Sequence, residues 1–261
     1  MTIVETLAVC ALIAVAAKTG AWLLQLRHGN AGIVDAIWAW TLGLLALVVA
    51  GGASGSSEAR AAVALMGGIW GLRLGTHLWR RNWGQPEDFR YAALRTRWGA
   101  QANRNLFWFF QLQNIFSLLL VATAFVPAAY AGPITTPAAL GAAAALWLIA
   151  VLGEAIADAQ MAAFRRNPAN KNRVCREGLW RWSRHPNYFF ECVHWLAYVP
   201  LALGSAWGWV ALTAPVIMAT LLLRLSGVPL LEADLLRRKP GYADYVRTTN
   251  ALIPWPPRAN R

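Results

Sequence analysis

The sequence predicts an all-α, polytopic membrane protein, and three observations support this fold class. Hydrophobic residues make up 57% of the 261 residues and charged residues only 14%, whereas soluble domains carry roughly 25% charged residues. The apolar residues lie in blocks of about 20, the length that a helix needs to cross a hydrocarbon core about 30 Å thick. Clusters of Gly, Pro and polar residues, which mark turns, separate the blocks. We therefore expect a single membrane domain over residues 1–261.

Seven such blocks predict seven transmembrane helices. We place them at about residues 3–26, 33–51, 61–80, 105–127, 138–162, 188–204 and 207–226. Breaks at 27–30, 51–57 and 127–137 separate the first from the second, the second from the third and the fourth from the fifth.

The basic residues predict the orientation of these helices. If the N-terminus lies outside, 21 of the 24 Lys and Arg residues fall in segments on the cytoplasmic side, as the positive-inside rule requires. An odd number of helices then places the C-terminus in the cytoplasm. The net charge of +12 is explained by this topology, so we expect no nucleic-acid partner. The N-terminus has no basic segment and predicts a retained first helix rather than a cleaved signal peptide.

Known nucleotide and metal motifs do not occur in the sequence. The three cysteines, Cys10, Cys175 and Cys192, have no metal-ligand spacing, so we expect neither a disulfide nor a metal site. There is no G-x-G-x-x-G after a strand, no P-loop, no H-E-x-x-H and no G-x-S-x-G. Any nucleotide must therefore be held by membrane helices and their loops.

The segment that ends at Glu191 is the first candidate site. It reads FRRNPANKNRVCREGLWRWSRHPNYFFE and contains seven basic residues: Arg165, Arg166, Lys171, Arg173, Arg176, Arg181 and Arg184. Guanidinium groups bind phosphate through paired hydrogen bonds, and the helix that begins near Pro186 adds unpaired N–H groups. The segment suits a polyphosphate ligand. The alternative is a solvated loop that touches anionic lipid.

Ionisable residues inside the predicted helices form the second candidate site. They are Lys18, Asp35, Arg73, His77, Glu154, Asp158 and Glu191. Such groups are costly in a membrane unless they are paired or hydrated, which makes them functional candidates. Arg73 and His77 are four residues apart and share a helix face that can meet Asp35; Glu154 and Asp158 share a face in the same way. The alternative is a buried structural ion pair.

These residues belong to a pattern that resembles the steroid 5α-reductase family, and its bacterial members most closely. The pattern comprises GLWRWSRHPNYFFE at 178–191, RRNWGQPEDFRYAALRTRWG at 80–99, FWFFQLQN at 107–114, and Trp195, Glu232, Pro240, Tyr242 and Tyr245. The resemblance covers residues 30 to 255. It implies a seven-helix membrane fold that binds NADPH and reduces the C=C bond of a 3-oxo-Δ4 steroid, giving a 5α-3-oxosteroid, or of a related lipid enone.

The resemblance also implies which residues bind the cofactor. They are Asp158, Arg165, Lys171, Arg173, Arg184, His185, Asn187, Tyr188, Glu191 and Arg224, with Arg90, Tyr91 and Arg95 covering the cofactor from the other loop. Arg165 and Arg173 are the expected partners of the phosphates. Asn187 and Glu191 are expected to bind the nicotinamide carboxamide and ribose.

The catalytic pair is where the sequence departs from the family. Animal members polarise the ketone with a Glu–Tyr pair, but the six Tyr residues of this chain all lie beyond the third helix. The matching region offers Asp35 and His77, which we predict as the catalytic pair because a carboxylate can tune a His donor. Helices 1–4 would form the substrate cavity and helices 5–7 the cofactor site. Trp38, Trp40 and Phe110 are candidate wall residues, with ordinary helix packing as the alternative.

Two other functions stay open at this point. Arg184-His185-Pro186 and Glu232 also occur in a pattern typical of S-adenosylmethionine-dependent membrane methyltransferases, which act on lipids or isoprenylcysteine. A non-enzymatic lipid-binding scaffold or transporter subunit would also place charges in membrane helices. For each function we expect a monomer in the bacterial inner membrane, in contact with membrane lipid, with its basic loops in the cytoplasm.

Overall fold

A computed structural model describes residues 1–132, 135–225 and 227–258, and every regular element in this part of the chain is a helix. The α-helices are α1 (Ile3–His28), α2 (Ile33–Gly52), α3 (Ser57–Asn82), α4 (Phe89–Trp98), α5 (Ala102–Leu120), α6 (Val126–Ala129), α7 (Pro137–Arg166), α8 (Pro186–Leu196), α9 (Val199–Ala202), α10 (Thr213–Thr220), α11 (Val228–Arg238) and α12 (Tyr242–Thr248). Two π-helical segments follow α5 and α10, at Val121–Phe125 and Leu221–Leu225.

Five helical segments in the described residues are long and apolar enough to span a membrane. They are Ile3–His28, Ile33–Gly52, Phe89–Ala129, Pro137–Arg166 and Gly208–Arg238. They contain the helices predicted at 3–26, 33–51, 105–127 and 138–162 and, from residue 208 onward, the helix predicted at 207–226, although residue 226 itself lies outside the described residues. The prediction of an all-helical fold is therefore confirmed for the described residues, and these five segments are candidate membrane spans by their length and composition.

The other two predicted spans have a different character. α3 forms where residues 61–80 were predicted, but it is more polar than the five apolar segments. The helix predicted at 188–204 is interrupted after Leu196, and a short helix begins again at Val199. Pro200 has no N–H to donate to the carbonyl of residue 196, and this explains the interruption.

The chain divides into two compact units. One comprises Met1–Ala143 and Tyr198–Ala214, and the other comprises Ala144–Ala197 and Pro215–Arg261. In the first unit, α1 packs against α2 and α5, and α2 packs against α3.

Small residues allow α2 and α3 to approach closely. A Cβ atom added to Gly71 would lie 2.6 Å from Gly43 Cα, and one added to Gly67 would lie 2.4 Å from Ala46 Cβ. Gly67 and Gly71 are one turn apart and form one face of α3. Close approach of this kind drives helix association in membranes, where the lipid offers no hydrophobic effect between helices. α3 is therefore held against α2 by its glycine face, although it also carries polar residues.

α1 has a defined beginning and end and one buried face. The Thr2 hydroxyl and the Glu5 carboxylate form a capping box at its start, and Gly29 ends it with a φ of 67°. Its buried positions recur every three or four residues: Thr6, Cys10, Ala14, Lys18, Ala21 and Gln25. A lysine thus lies in the middle of the packed face of an apolar helix.

Candidate functional site

Asp35 lies in the first turn of α2, and its carboxylate binds two side chains of α4. Tyr91 Oη donates to Asp35 Oδ1 at 2.6 Å, and Arg90 Nη2 donates to Asp35 Oδ2 at 2.7 Å. Arg90 also binds Asp88, through Nε at 2.9 Å and Nη2 at 3.1 Å. Asp35, Asp88, Arg90 and Tyr91 are called the Asp35 cluster below. They combine two carboxylates, one guanidinium and one phenol.

The start of α4 positions this cluster. Asp88 is the N-cap of α4, and its Oδ1 accepts a hydrogen bond from the backbone N–H of Arg90 at 3.0 Å. Burial by itself raises the pKa of Asp88, but the hydrogen bonds and charge of Arg90 outweigh burial and hold that pKa below its usual value. Asp88 is therefore an anion, and it holds Arg90, two residues further along the chain, against Asp35.

The Tyr91 ring is buried in an apolar environment. Tyr91 is 4% exposed and packs with Ala21 of α1, Val34 of α2 and Phe110 of α5. Its ring centroid lies 6.4 Å from that of Phe110, in an edge-to-face arrangement. Phe110, a predicted cavity wall residue, thus packs against the cluster itself.

The other predicted wall residues pack against aromatic rings of α3. Trp38 lies edge-on to Trp70 at 6.2 Å, and Trp40 lies beside Trp79 at 5.4 Å. These contacts favour the alternative of ordinary helix packing for Trp38 and Trp40.

Arg95, predicted to cover the cofactor, is bound within its own unit. Its guanidinium contacts Glu87 at 2.9 and 3.1 Å, Gln25 at 3.0 Å and Asn103 at 3.2 Å. Glu87 in turn accepts a hydrogen bond from the N–H of Ala31 at 2.8 Å. Arg95 thereby ties α4 to the turn between α1 and α2. A role for Arg95 in cofactor binding stays a prediction.

The predicted catalytic residues lie on neighbouring helices. Asp35 is on α2, and His77 is half-buried on α3, which packs against α2. The structure pairs Asp35 with Tyr91 and Arg90; a pairing with His77 stays a prediction. Sequence reasoning missed Tyr91 as the partner because the two residues are 56 positions apart. The signal that could have revealed it is the acidic N-cap Asp88, which predicts that a helix begins immediately before Tyr91.

In the second unit, Glu232 of α11 is the centre of another polar cluster. Its carboxylate accepts hydrogen bonds from Arg184 Nε at 2.6 Å and Arg184 Nη2 at 3.2 Å, and it contacts His185 Nε2 at 2.9 Å. Tyr242 Oη donates to it at 3.5 Å. Arg184 Nη1 donates to the carbonyls of Val246 and Thr249. Arg184 and His185 were predicted to bind the cofactor, but their side chains hold the C-terminal segment.

Backbone contacts strengthen this attachment. The N–H groups of Arg184 and His185 donate to the carbonyls of Asn250 and Ala251 at 2.9 and 3.1 Å. Tyr245 Oη donates to the carbonyls of Trp180 and Ser183. Burial raises the pKa of Tyr245, so this phenol stays protonated and remains a donor.

Three exposed basic residues of the second unit lie at the end of α7 and in the loop that follows. Arg165, Lys171 and Arg173 are all exposed. Lys239 donates to the carbonyl of Arg173 at 2.6 Å. Partial burial lowers the pKa of Lys239, and the positive charges of Arg165 and Arg238 lower it further. Lys239, which the sequence did not single out, therefore belongs to a group of cations that an anion would stabilise.

The remaining predicted cofactor residues lie on three helical elements. α8 begins with Pro186 at its first position and carries Asn187, Tyr188 and Glu191. The Tyr188 ring stacks on His185 at 5.3 Å, and buried Glu191 accepts a hydrogen bond from Trp195 Nε1 at 2.9 Å. Asp158 lies half-buried on α7, and Arg224 lies exposed in the second π-helical segment.

Comparison with known proteins places the chain in a family. The profile of DUF1295, described as a protein of unknown function, matches residues 21–249. The chain belongs to the DUF1295 family. DUF1295 is associated with steroid 5α-reductase-like membrane proteins. The matched region includes both the Asp35 cluster and the Glu232 cluster. No curated protein and no solved structure matches this DUF1295 chain.

Proposed function

We propose that this protein is an NADPH-dependent membrane reductase of the C=C bond of a lipid enone, with 3-oxo-Δ4 steroids, reduced to 5α-3-oxosteroids, as the first candidates. The observation that carries the proposal is the hydrogen bond between Tyr91 and Asp35. A carboxylate–phenol pair matches in kind the Glu–Tyr pair that animal steroid 5α-reductases use at the ketone. In this chain, Asp35 and Tyr91 supply that pair from α2 and α4, and the ketone end of the substrate binds at the Asp35 cluster.

The chemistry explains why an enone needs such a cluster. Hydride addition at the β-carbon places negative charge on the ketone oxygen, and preorganised hydrogen-bond donors lower the barrier by stabilising that charge. The aromatic surroundings of Tyr91 exclude water and suit an apolar ring system that carries a single ketone. Phe110 lies at this position and stays the best candidate for a wall residue.

The second unit offers residues that fit NADPH. Exposed Arg165, Lys171 and Arg173, together with Lys239, supply cations for the phosphates, including the 2′-phosphate that distinguishes NADPH from NADH. Asn187 and Glu191 on α8 offer an amide and a carboxylate for the carboxamide and ribose. When bound, the cofactor supplies the hydride. Arg184 and His185 act indirectly, because they hold the C-terminal segment in place.

The proposal includes the topology of seven membrane helices with the N-terminus outside. α3 has 26 residues and is therefore about 39 Å long, which is enough to cross a bilayer despite its polar residues. The segments at 186–196 and 199–202 would together make the sixth crossing. We assign the protein, as a monomer, to the bacterial inner membrane. Fusions of alkaline phosphatase and of a fluorescent protein after residues 54, 101, 175 and 258 test this topology: only the fusion at 54 should give phosphatase activity.

The direct test of function is NADPH oxidation, followed at 340 nm, by the detergent-purified protein with and without progesterone or testosterone. We expect steroid-dependent oxidation that is lost in Asp35→Asn and Tyr91→Phe. His77→Ala tests whether His77 has the predicted catalytic role. NADPH binding without oxidation would preserve the cofactor site and direct the search to other lipid enones. Absence of both binding and oxidation would refute the proposal.

A lipid methyltransferase is the second candidate, and one observation favours it. Arg184, His185 and Glu232, the residues that motivate this alternative, lie in one hydrogen-bonded cluster. A sulfonium cofactor, however, has no phosphate to match the cations of Arg165, Arg173 and Lys239. Calorimetric titration with S-adenosylhomocysteine and with NADPH separates the two candidates, because each predicts binding of only one ligand.

A further inference from the structure

In the Asp35 cluster, no side chain has a hydrogen that is both unpaired and able to leave as a proton for the ketone oxygen. A phenol has one hydrogen, and the Tyr91 hydroxyl hydrogen is directed at Asp35 Oδ1. The other oxygen of Asp35 accepts from Arg90. Arg90 can donate a hydrogen bond, but a guanidinium does not lose a proton in proteins. The cluster can therefore bind a ketone, but it lacks a group that can give the oxygen a proton without first rearranging.

Lys18 is a buried donor near this cluster. Its side chain is 1% exposed, and within the described residues Nζ has no hydrogen-bond partner. Ala21, one turn further along the same face of α1, packs in the same group as Tyr91 and Val34, the neighbour of Asp35. A lysine Nζ without a hydrogen-bond partner thus lies in the apolar interior, on the face of α1 whose Ala21 packs with Tyr91.

Burial disfavours the cationic form of Lys18, whereas the charges of these residues favour it. Asp35 and Asp88 carry two negative charges, and Arg90 carries one positive charge. Lys18 as an ammonium makes the sum zero, and a neutral set of charges costs less to bury than a charged one. The remaining cost of leaving the Nζ hydrogens unpaired in an apolar interior is relieved when a ligand oxygen accepts them.

We propose that Lys18 donates a hydrogen bond, and then a proton, to the ketone oxygen of the substrate; this rests on the proposed enone reductase function. Hydride from the cofactor forms the new C–H bond at the β-carbon. The C=C electron pair moves to the bond between the α-carbon and the carbonyl carbon, and the C=O π pair moves to oxygen. Lys18 gives that oxygen a proton, leaving an enol and a neutral amine. The α-carbon then takes a proton from water, and the enol proton returns to Lys18, so the net reaction consumes one hydride and one proton.

Three variants separate this role from a structural one. Lys18→Met removes the charge and fills the same buried space, so it should fold. Lys18→Arg keeps the positive charge but cannot release a proton. Arg60→Met, on α3, removes a different cation whose Nε binds the carbonyl of Ala50 at 2.8 Å, and it serves as the control.

Two measurements are made on each variant. The first is steroid-dependent NADPH oxidation, for which we expect a loss of about 100-fold or more in kcat for Lys18→Met, as for other oxyanion donors. Lys18→Arg should lose turnover as well, and Arg60→Met should be unchanged. The second needs no cofactor: the naphtholic steroid equilenin, whose emission differs between its neutral and ionised forms, mimics the enolate. It should bind ionised to the wild type and Lys18→Arg, and neutral to Lys18→Met.

The outcomes distinguish the two proposals. If the wild type reduces steroids and Lys18→Met is active within threefold with the same probe emission, then Lys18 has no such role and the reductase function stands. Loss of turnover only in Tyr91→Phe would identify Tyr91 as the donor and overturn the assignment of Lys18. If the wild type reduces none of the steroids but ionises the probe through Lys18, the anion site is supported and the substrate is a different enone. If the probe binds neutral to the wild type, Lys18 does not stabilise an oxyanion.

Discussion

Replacement of Glu232 by Gln should destabilise the attachment of the C-terminal segment. Glu232 is the carboxylate partner of Arg184, whose side chain is 9% exposed, and Glu232 itself is 13% exposed. The amide of Gln keeps the shape of the side chain but removes the negative charge, so Arg184 has only neutral acceptors: the amide oxygen and the backbone carbonyls of Val246 and Thr249. Removal of one partner of a buried ion pair costs about 3–5 kcal/mol. Because Glu232 is not fully buried, we expect about 3 kcal/mol.

Thermal unfolding in detergent, followed by tryptophan fluorescence, measures this effect. For a chain of this size, 1 kcal/mol shifts Tm by roughly 2–4 °C, so the expected decrease is roughly 6–12 °C. As a control, Glu177→Gln removes an exposed carboxylate from the loop that contains Arg184, and it should shift Tm by less than about 1 °C.

The double variant Arg184→Met/Glu232→Leu removes both charges and should recover much of the loss, because no unpaired ion remains buried. Limited proteolysis at the end of α11 should follow the same order, with Glu232→Gln cleaved fastest. A Tm of Glu232→Gln that equals the wild type, or a double variant less stable than Glu232→Gln, would contradict the assignment of Glu232 as the structural centre of this segment.

Two further predictions concern helix packing and cofactor binding. Gly71→Ala should lower the free energy of unfolding by about 1–3 kcal/mol, because its Cβ would lie 2.6 Å from Gly43 Cα. In the control Gly68→Ala the nearest atom lies 3.5 Å from the new Cβ, so this variant should melt like the wild type. Equal melting temperatures of the two variants would contradict the close approach of α2 and α3. Lys239→Gln should weaken NADPH binding about 10-fold while Lys239→Arg preserves it. The pKa of Lys239 is lowered, so Lys239 loses its charge as the pH rises. The affinity for NADPH, measured by calorimetry, should therefore fall with increasing pH in the wild type but not in Lys239→Arg. An identical pH dependence in both proteins would exclude Lys239 from the site.

The helices that could be predicted are those whose signal is local. An apolar block between Gly or Pro clusters predicts a spanning helix from its own residues, as α1, α2 and α7 show. α3 was predicted as a helix, but its glycine face is explained only by the partner helix α2. The break after Leu196 had a local signal in Pro200, whereas the π-helical segments depend on tertiary packing and have no comparable signal in the sequence.

The Asp35 cluster shows why a site is harder to predict than a helix. Spacing within one helix reveals which residues share a face, and the position of Asp35 in an apolar helix made it a candidate site residue. It cannot reveal which face of another helix meets that residue. The resemblance implied that Tyr91 covers the cofactor. In the structure Asp88 caps α4, and Tyr91 lies in the apolar interior with its hydroxyl 2.6 Å from Asp35.

The basic loop shows the converse problem, in which a sequence reveals charges but not the partners that neutralise them. Seven cations in one segment predicted a phosphate site, but two of them bind carboxylates from later in the chain: Arg184 binds Glu232 at 2.6 Å and Arg176 binds Asp244 at 3.2 Å. Four exposed cations, Arg165, Arg166, Lys171 and Arg173, lie at the end of α7 or soon after it, and Lys239 joins them from beyond α11. The two groups should therefore respond differently to substitution. Arg184→Gln should lower Tm and leave the preference for NADPH over NADH unchanged in the folded fraction, whereas Arg165→Gln should reduce that preference with little change in Tm.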